Sequence, residues 1–120
     1  MSIMKDDLKS YLPLTSATLH IMLALAAEDR HGYAIMQEVA RQSAGQYKLG
    51  PGTLYENLDK LAARGFVKRA PLRSPFDDPR RRYYRLTELG RQVLSADVER
   101  LKSVIREAKL YLSSGESSRL

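Results

Sequence analysis

Residues 49–66 read LGPGTLYENLDKLAARGF, a segment with a marked start, a marked stop and two unlike faces. Gly50 precedes Pro51. A residue before proline is driven out of the α region, whereas proline itself suits the first helical position, where a missing N–H costs nothing. The segment therefore reads as a helix with Gly50 as N-cap and Pro51 at N1. A capping box from Thr53 to Glu56 is the competing start and would shorten the helix without turning its faces. Arg64 followed by Gly65 supplies a cationic last turn and a C′ glycine.

At about 100° per residue, Leu54, Leu58 and Leu61 form one narrow stripe, the face to be buried. Thr53, Glu56, Lys60 and Arg64 lie on the far side, with Asn57 at about 300° from Leu54. An amide, a carboxylate, a hydroxyl and two cations are groups that read base edges and hold phosphates in a major groove. A solvated helix face has the same composition, so the flanking sequence must separate the two readings.

Two helices precede this one. Pro13 and Thr15-Ser16 make a helix start, and Leu19, Met22, Leu23 and Ala26 recur at helical spacing over 15–28. EDRHG (28–32) ends that helix. Ile35, Met36, Val39 and Ala40 mark a second over 32–43, closed by SAG with Gly45 as the stop. After the quoted stretch come two short β-prone runs, FVKRAPL (66–72) and RRYYRLT (81–87). RSPFDDPR (73–80) joins them with two prolines and an Asp pair, which is turn chemistry. Three helices and a hairpin whose return limb starts with Arg80, Arg81 and Arg82 make a mainly α winged helix-turn-helix, its two-stranded β wing placed to touch DNA backbone or minor groove.

The charge agrees with this reading. The 120 residues carry +6, and residues 41–91 hold 12 basic against 5 acidic side chains, so the middle of the chain carries the whole excess. A basic excess beside a defined helix is the footprint of polyanion binding, although a merely soluble surface also carries charge. With no cysteine, disulfide frameworks and thiolate metal sites are excluded. The apolar run LHIMLALAA (19–27) is far short of the roughly 20 residues a membrane span needs, and Asp6, Asp7 and Lys9 interrupt any signal peptide. A soluble, cytoplasmic protein is expected. His20 and His31 are the only histidines, and no nucleotide loop, metal cluster or paired-carboxylate motif accompanies them, so neither an enzyme nor a cofactor is expected. Asp77 and Asp78 read as turn formers before Pro79 rather than metal ligands.

HGYAIMQEV (31–39), LGPGTLYENLDKLAARGFV (49–67) and RRRYYRLTELGR (80–91) together resemble the three signature blocks of PadR-family transcriptional regulators, in order and at the right separations over 15–112. The resemblance implies a dimeric bacterial repressor with a winged-helix DNA-binding domain and a C-terminal dimerisation helix, often released from DNA by a small molecule. It sets His31, Gly32 and Tyr33 at the start of helix two and Pro51, Gly52, Thr53, Leu54 and Tyr55 at the head of the recognition helix. Gly50 departs from the serine common in the family. For Tyr55, on the helix flank, contact with DNA backbone and packing against helix two both stand open.

Residues 1–87 are thus expected to form the DNA-binding domain (wing about 66–87), 88–112 a dimerisation helix capped by Thr87, and 113–120 a disordered tail. Leu94, Val98, Leu101, Ile105, Ala108 and Leu112 recur at alternating spacings of 4 and 3, a seam that wants a partner helix; packing on its own core is the alternative. In a dimer the two recognition helices would meet successive major grooves of a palindromic operator, roughly 34 Å apart. Thr53, Glu56 and Asn57 are the candidate base readers, with Asn57 suited to adenine. Lys48, Lys60, Arg64 and Arg80 to Arg82 are the phosphate candidates. An effector would lodge among Tyr11, Leu14, Met22 and Tyr111, unless these are ordinary interface packing. A winged helix that only docks on protein is the rival function.

Overall fold

The computed structural model describes residues 5–119, with side chains for 7–113. Five helices and three strands follow in the order α1 (Lys5–Lys9), α2 (Ser16–Ala27), β1 (Arg30–His31), α3 (Gly32–Gln42), α4 (Pro51–Ala63), β2 (Val67–Ala70), β3 (Tyr83–Leu86) and α5 (Glu88–Arg119). Helices α2, α3 and α4 correspond to the three read from the sequence, and each starts as its local chemistry dictates. The Thr15 hydroxyl accepts from the Thr18 N–H at 3.2 Å. His31 caps α3 through Nδ1, accepting from the Ala34 N–H at 3.4 Å. Gly50 is the N-cap of α4 with Pro51 in its first turn, and the Thr53–Glu56 alternative is not used. At the far end Gly65 takes φ 80, the left-handed conformation that favours glycine.

Leu54, Leu58 and Leu61 are buried as one stripe against Ile21, Met22, Leu25, Ile35 and Val39. Helix α2 is more enclosed than its i, i+3, i+4 pattern suggests. Ile21, Ala24 and Leu25 are buried beside Met22, while Leu19, Leu23 and Ala26 are only partly so. A helix covered by α3, α4, α5 and β3 is apolar nearly all round, and a single-face pattern understates it.

The wing strands pair antiparallel in the register Val67↔Leu86 to Ala70↔Tyr83. They are shorter than the runs 66–72 and 81–87, because Pro71 follows Ala70 and Arg81–Arg82 precede the first ladder residue. A third strand was not anticipated. In EDRHG, Arg30 and His31 pair with Tyr84 and Tyr83 to give the sheet order β1-β3-β2. Two residues are too few for a periodic signal. Ion pairs fix this edge: Arg85 grips Asp29 at 2.7 Å, and Arg73 pairs with Glu28.

Thr87 caps α5, its hydroxyl accepting from the Gly90 N–H at 3.0 Å. Gly90, Val93, Leu94 and Asp97 turn inward, and beyond Ser103 the helix leaves the domain, with Val104, Ile105, Leu110, Tyr111 and Leu112 all more than half exposed. The expected seam is therefore split. Leu94 is buried in its own core, Val98, Leu101 and Ala108 are half-buried, and Ile105 and Leu112 are open. The helix also continues to Arg119, where a disordered tail over 113–120 was expected. SSGESSR contains no proline, and one glycine costs only about 1 kcal/mol, which does not stop a helix already nucleated.

Candidate nucleic-acid interface

The N-terminal half of α4 is open to solvent along Pro51, Gly52, Thr53, Tyr55 and Glu56. Thr53 and Glu56 project as the wheel predicts, and Lys60 lies one turn on, its Nζ 3.3 Å from Glu56 Oε1. Asn57 does not project. Its Nδ2 donates to the Thr53 carbonyl at 2.8 Å, and its Oδ1 accepts from the Thr18 hydroxyl at 3.2 Å. Both ends of the amide are thus engaged within the protein, which removes Asn57 from the base-reading set in this conformation. The reason lies in its wheel angle: about 60° from the buried stripe, it looks towards α2 rather than outward.

Beside α4 lies a cleft of about 640 Å³ lined by His31, Gly32, Tyr33, Tyr55, Arg80, Arg81 and Arg82. It joins the start of α3, the flank of α4 and the wing's return limb. Tyr55 reaches it by leaning over Gly32: a Cβ at Gly32 would sit 2.3 Å from the Tyr55 hydroxyl. Packing against α3 and exposure to the cleft are therefore both true of Tyr55, which is 43% exposed. Tyr33, 63% exposed, also lines the cleft. The helix dipole at the start of α3 favours an anion there.

A polar relay ties the wing to that helix start. The His31 ring meets Tyr83 edge-on, centroids 5.3 Å apart. The Tyr83 hydroxyl donates to Asp77 Oδ2 at 2.5 Å, and Arg81 donates to Asp77 Oδ1 at 3.0 Å. These bonds, the Tyr83 hydroxyl first, hold the Asp77 carboxyl below its usual range. Arg80 does the same for Asp78, donating to both of its oxygens at 3.1 Å. Burial, then the Arg81 charge, lowers the His31 pKa, so His31 stays neutral near pH 7 and keeps the lone pair that caps α3.

The wing arginines are consequently unequal. Arg80 and Arg81 arrive already paired with carboxylates of their own loop, whereas Arg82 is exposed with no ion pair among the described residues. Lys48 is exposed on the α3–α4 connection. Arg64 sits apart, at the far end of α4, where it lines a second groove with Ser10, Thr15 and Thr18. Tyr33 and the α3 start carry no side-chain charge and so were not legible as phosphate or base contacts. The HGY block was their one signal.

The expected effector residues do not converge. Met22 is 0% exposed in the core, Tyr11 packs edge-on against Phe66 at 4.9 Å, and Tyr111 is 74% exposed on the overhang of α5. Leu14 is half-buried against the core. Tyr11 and Leu14 pack against the core that holds Met22, and α5 carries Tyr111 away from it. A groove of about 930 Å³ does lie between the α1 end and α5, lined by others, among them Leu8, Leu12, Pro13, Gln92, Ala96 and Arg100.

The signature of the Transcriptional regulator PadR-like family matches residues 21–96, from inside α2 to the middle of the packed part of α5. The chain belongs to the PadR-like family. Transcriptional regulator Rv3488 of Mycobacterium tuberculosis is 36% identical over 89 residues, covering 74% of this chain and 78% of the relative. A complex structure of RosR, RosR-S4, is similar at TM-score 0.68 and 28% identity, covering 95% of this chain and 99% of that one; RosR of H. salinarum grown from NaBr gives 0.65. A PadR-family regulator from Clostridium difficile has the same fold at TM-score 0.69 and 21% identity, over 82% of this chain and 99% of that one. As a PadR-like chain, the protein is a winged-helix, DNA-binding transcriptional regulator. Among the described residues no helix is long and apolar enough to cross a membrane.

Proposed function

We propose that the protein is a dimeric repressor that sets one α4 from each copy into successive major grooves of a palindromic operator. The observation that carries this reading is the shared cleft, where the α3 N-terminus, Tyr33, Tyr55 and Arg80 to Arg82 line one cationic surface beside the open half of α4. Helix dipole, hydroxyls and guanidinium groups together suit a backbone phosphate at the groove edge. Gly52, Thr53 and Glu56 then face the bases, with Glu56 suited to cytosine N4 and Lys48 and Lys60 to flanking phosphates. Arg64 lies too far along the helix to share that cleft, and Asn57 acts as a brace to α2.

The dimer rests on the overhang of α5. Val104, Ile105, Leu110, Tyr111 and Leu112 expose more apolar surface than a lone helix keeps in water, and a second copy covers it. Release by a small molecule completes the reading, on the strength of the family. Selection of bound duplexes from a random pool tests the proposal. Enrichment of two inverted half-sites centred roughly one helical turn apart is the expected outcome. A pool that stays random would instead favour a winged helix that docks on protein.

A further inference from the structure

The chain has two phenylalanines, and their fates are opposite: Phe66 is fully buried, and Phe76, at the tip of the β2–β3 loop, is 97% exposed. A lone exposed apolar side chain needs no explanation on a mobile surface. This tip is braced. Prolines 75 and 79 flank it. The Phe76 N–H donates to the Ser74 hydroxyl at 2.9 Å, and the Asp77 N–H to the Ser74 carbonyl at 3.1 Å. Asp77 in turn accepts from the buried Tyr83 and from Arg81, which anchors the tip to β3. The loop thus holds an aromatic ring out into solvent rather than folding it inward.

The surroundings of the ring identify what it meets. Residues 73–82 include four arginines and two aspartates, and both aspartates are engaged by Arg80 and Arg81 of the same loop. An apolar point on a cationic loop, whose return limb Arg80 to Arg82 lines the cleft beside α4, is suited to a polyanion with an apolar interior. A protein partner would be expected to offer an apolar socket, and the arginine-rich loop argues against one. Resting on the proposed DNA-binding reading, we propose that Phe76 is a wedge that enters the minor groove beside the α4 contact and opens a base step there. Apolar wedges flanked by arginine act in this way, unstacking one step and bending the duplex towards the major groove. Pyrimidine–purine steps yield most easily, so the wing would add sequence preference at a position that forms no base-edge hydrogen bond.

The test uses full-length protein and the duplex enriched by wild-type selection. Because Phe76 has no packing partner to lose, Phe76→Ala should leave the thermal midpoint unchanged. On that duplex its affinity should fall about tenfold or more, with the salt slope unaltered, since no charge is removed. The bend read by end-to-end energy transfer should shrink, 2-aminopurine at the flanking step should no longer brighten on binding, and Phe76→Leu should retain most of each effect. Wild-type affinity and bend in Phe76→Ala would overturn the wedge and leave the DNA-binding reading intact. A loss accompanied by a shallower salt slope would also overturn it, as it would mean a displaced wing. Failure of the wild-type protein to bind any duplex would bring down the DNA-binding reading and the wedge together.

Discussion

Arg81 and Arg82 are neighbours in sequence and unlike in chemistry, since one is bonded to Asp77 and the other is free among the described residues. A phosphate must compete with Asp77 for Arg81 but gains Arg82 directly. Arg82→Ala should therefore lower the salt slope of DNA binding by about one per bound protomer, and Arg81→Ala by less, as read from affinities across a salt series. Asp78→Ala, which frees Arg80, should strengthen binding to any duplex. His31 gives a pH prediction. Its folded pKa is lowered, by burial first, so between that value and the ordinary imidazole value of about 6.5 the unfolded chain holds the extra proton. Stability from neutral His31 is thus complete above that window and falls as pH drops through it. Thermal midpoints of wild type and His31→Ala should converge towards acid pH. Asn57 shows how far residue roles were legible. Its type suggested adenine, but its bond to Thr18 belongs to another helix, and no one-dimensional pattern contains that pairing. Asn57→Ala should cost about 0.5–1.5 kcal/mol of stability and weaken cognate and scrambled DNA alike.

Among the elements, α2, α3 and α4 were legible because each carries its own start and stop signals, whereas the five-residue α1 was not read. The start of α4 at Gly50-Pro51 and its stop at Gly65 are local chemistry, and the fold leaves them unchanged. The strand β1 was not legible, because Arg30 and His31 are extended only through pairing with Tyr84 and Tyr83. The extent of α5 was less legible: the polar composition of 113–120 reads as a tail, and α5 runs to Arg119. Where α5 meets the wing, a Cβ at Gly90 would lie 2.1 Å from the Phe66 carbonyl oxygen, which is backbone and cannot yield. Alanine gains about 1 kcal/mol of helix propensity, yet the overlap costs about 1–3 kcal/mol or more. Gly90→Ala should be destabilising in urea melts. Further along, Ile105 is 52% exposed and contributes little to the fold of one chain. Ile105→Asp should halve the sedimenting mass while leaving the circular dichroism of the domain largely intact; an undiminished mass would mean that another surface joins the copies.

For the molecule as a whole, charge and shape point the same way. The radius of gyration, 17.1 Å, exceeds the roughly 13–14 Å expected of a compact chain this long, and the excess is consistent with a 32-residue α5 that runs past its own core. The cationic middle of the sequence becomes a cleft and a wing beside α4, with Arg80, Arg81 and Arg82 lining the cleft. The most direct test of operator binding is fluorescence anisotropy of the protein with DNA from upstream of its own coding sequence and with a scrambled duplex, over a range of salt. Binding much tighter to the upstream duplex than to the scrambled one, falling steeply as salt rises, is the predicted result. Equal and weak binding to both, or affinity indifferent to salt, would contradict it.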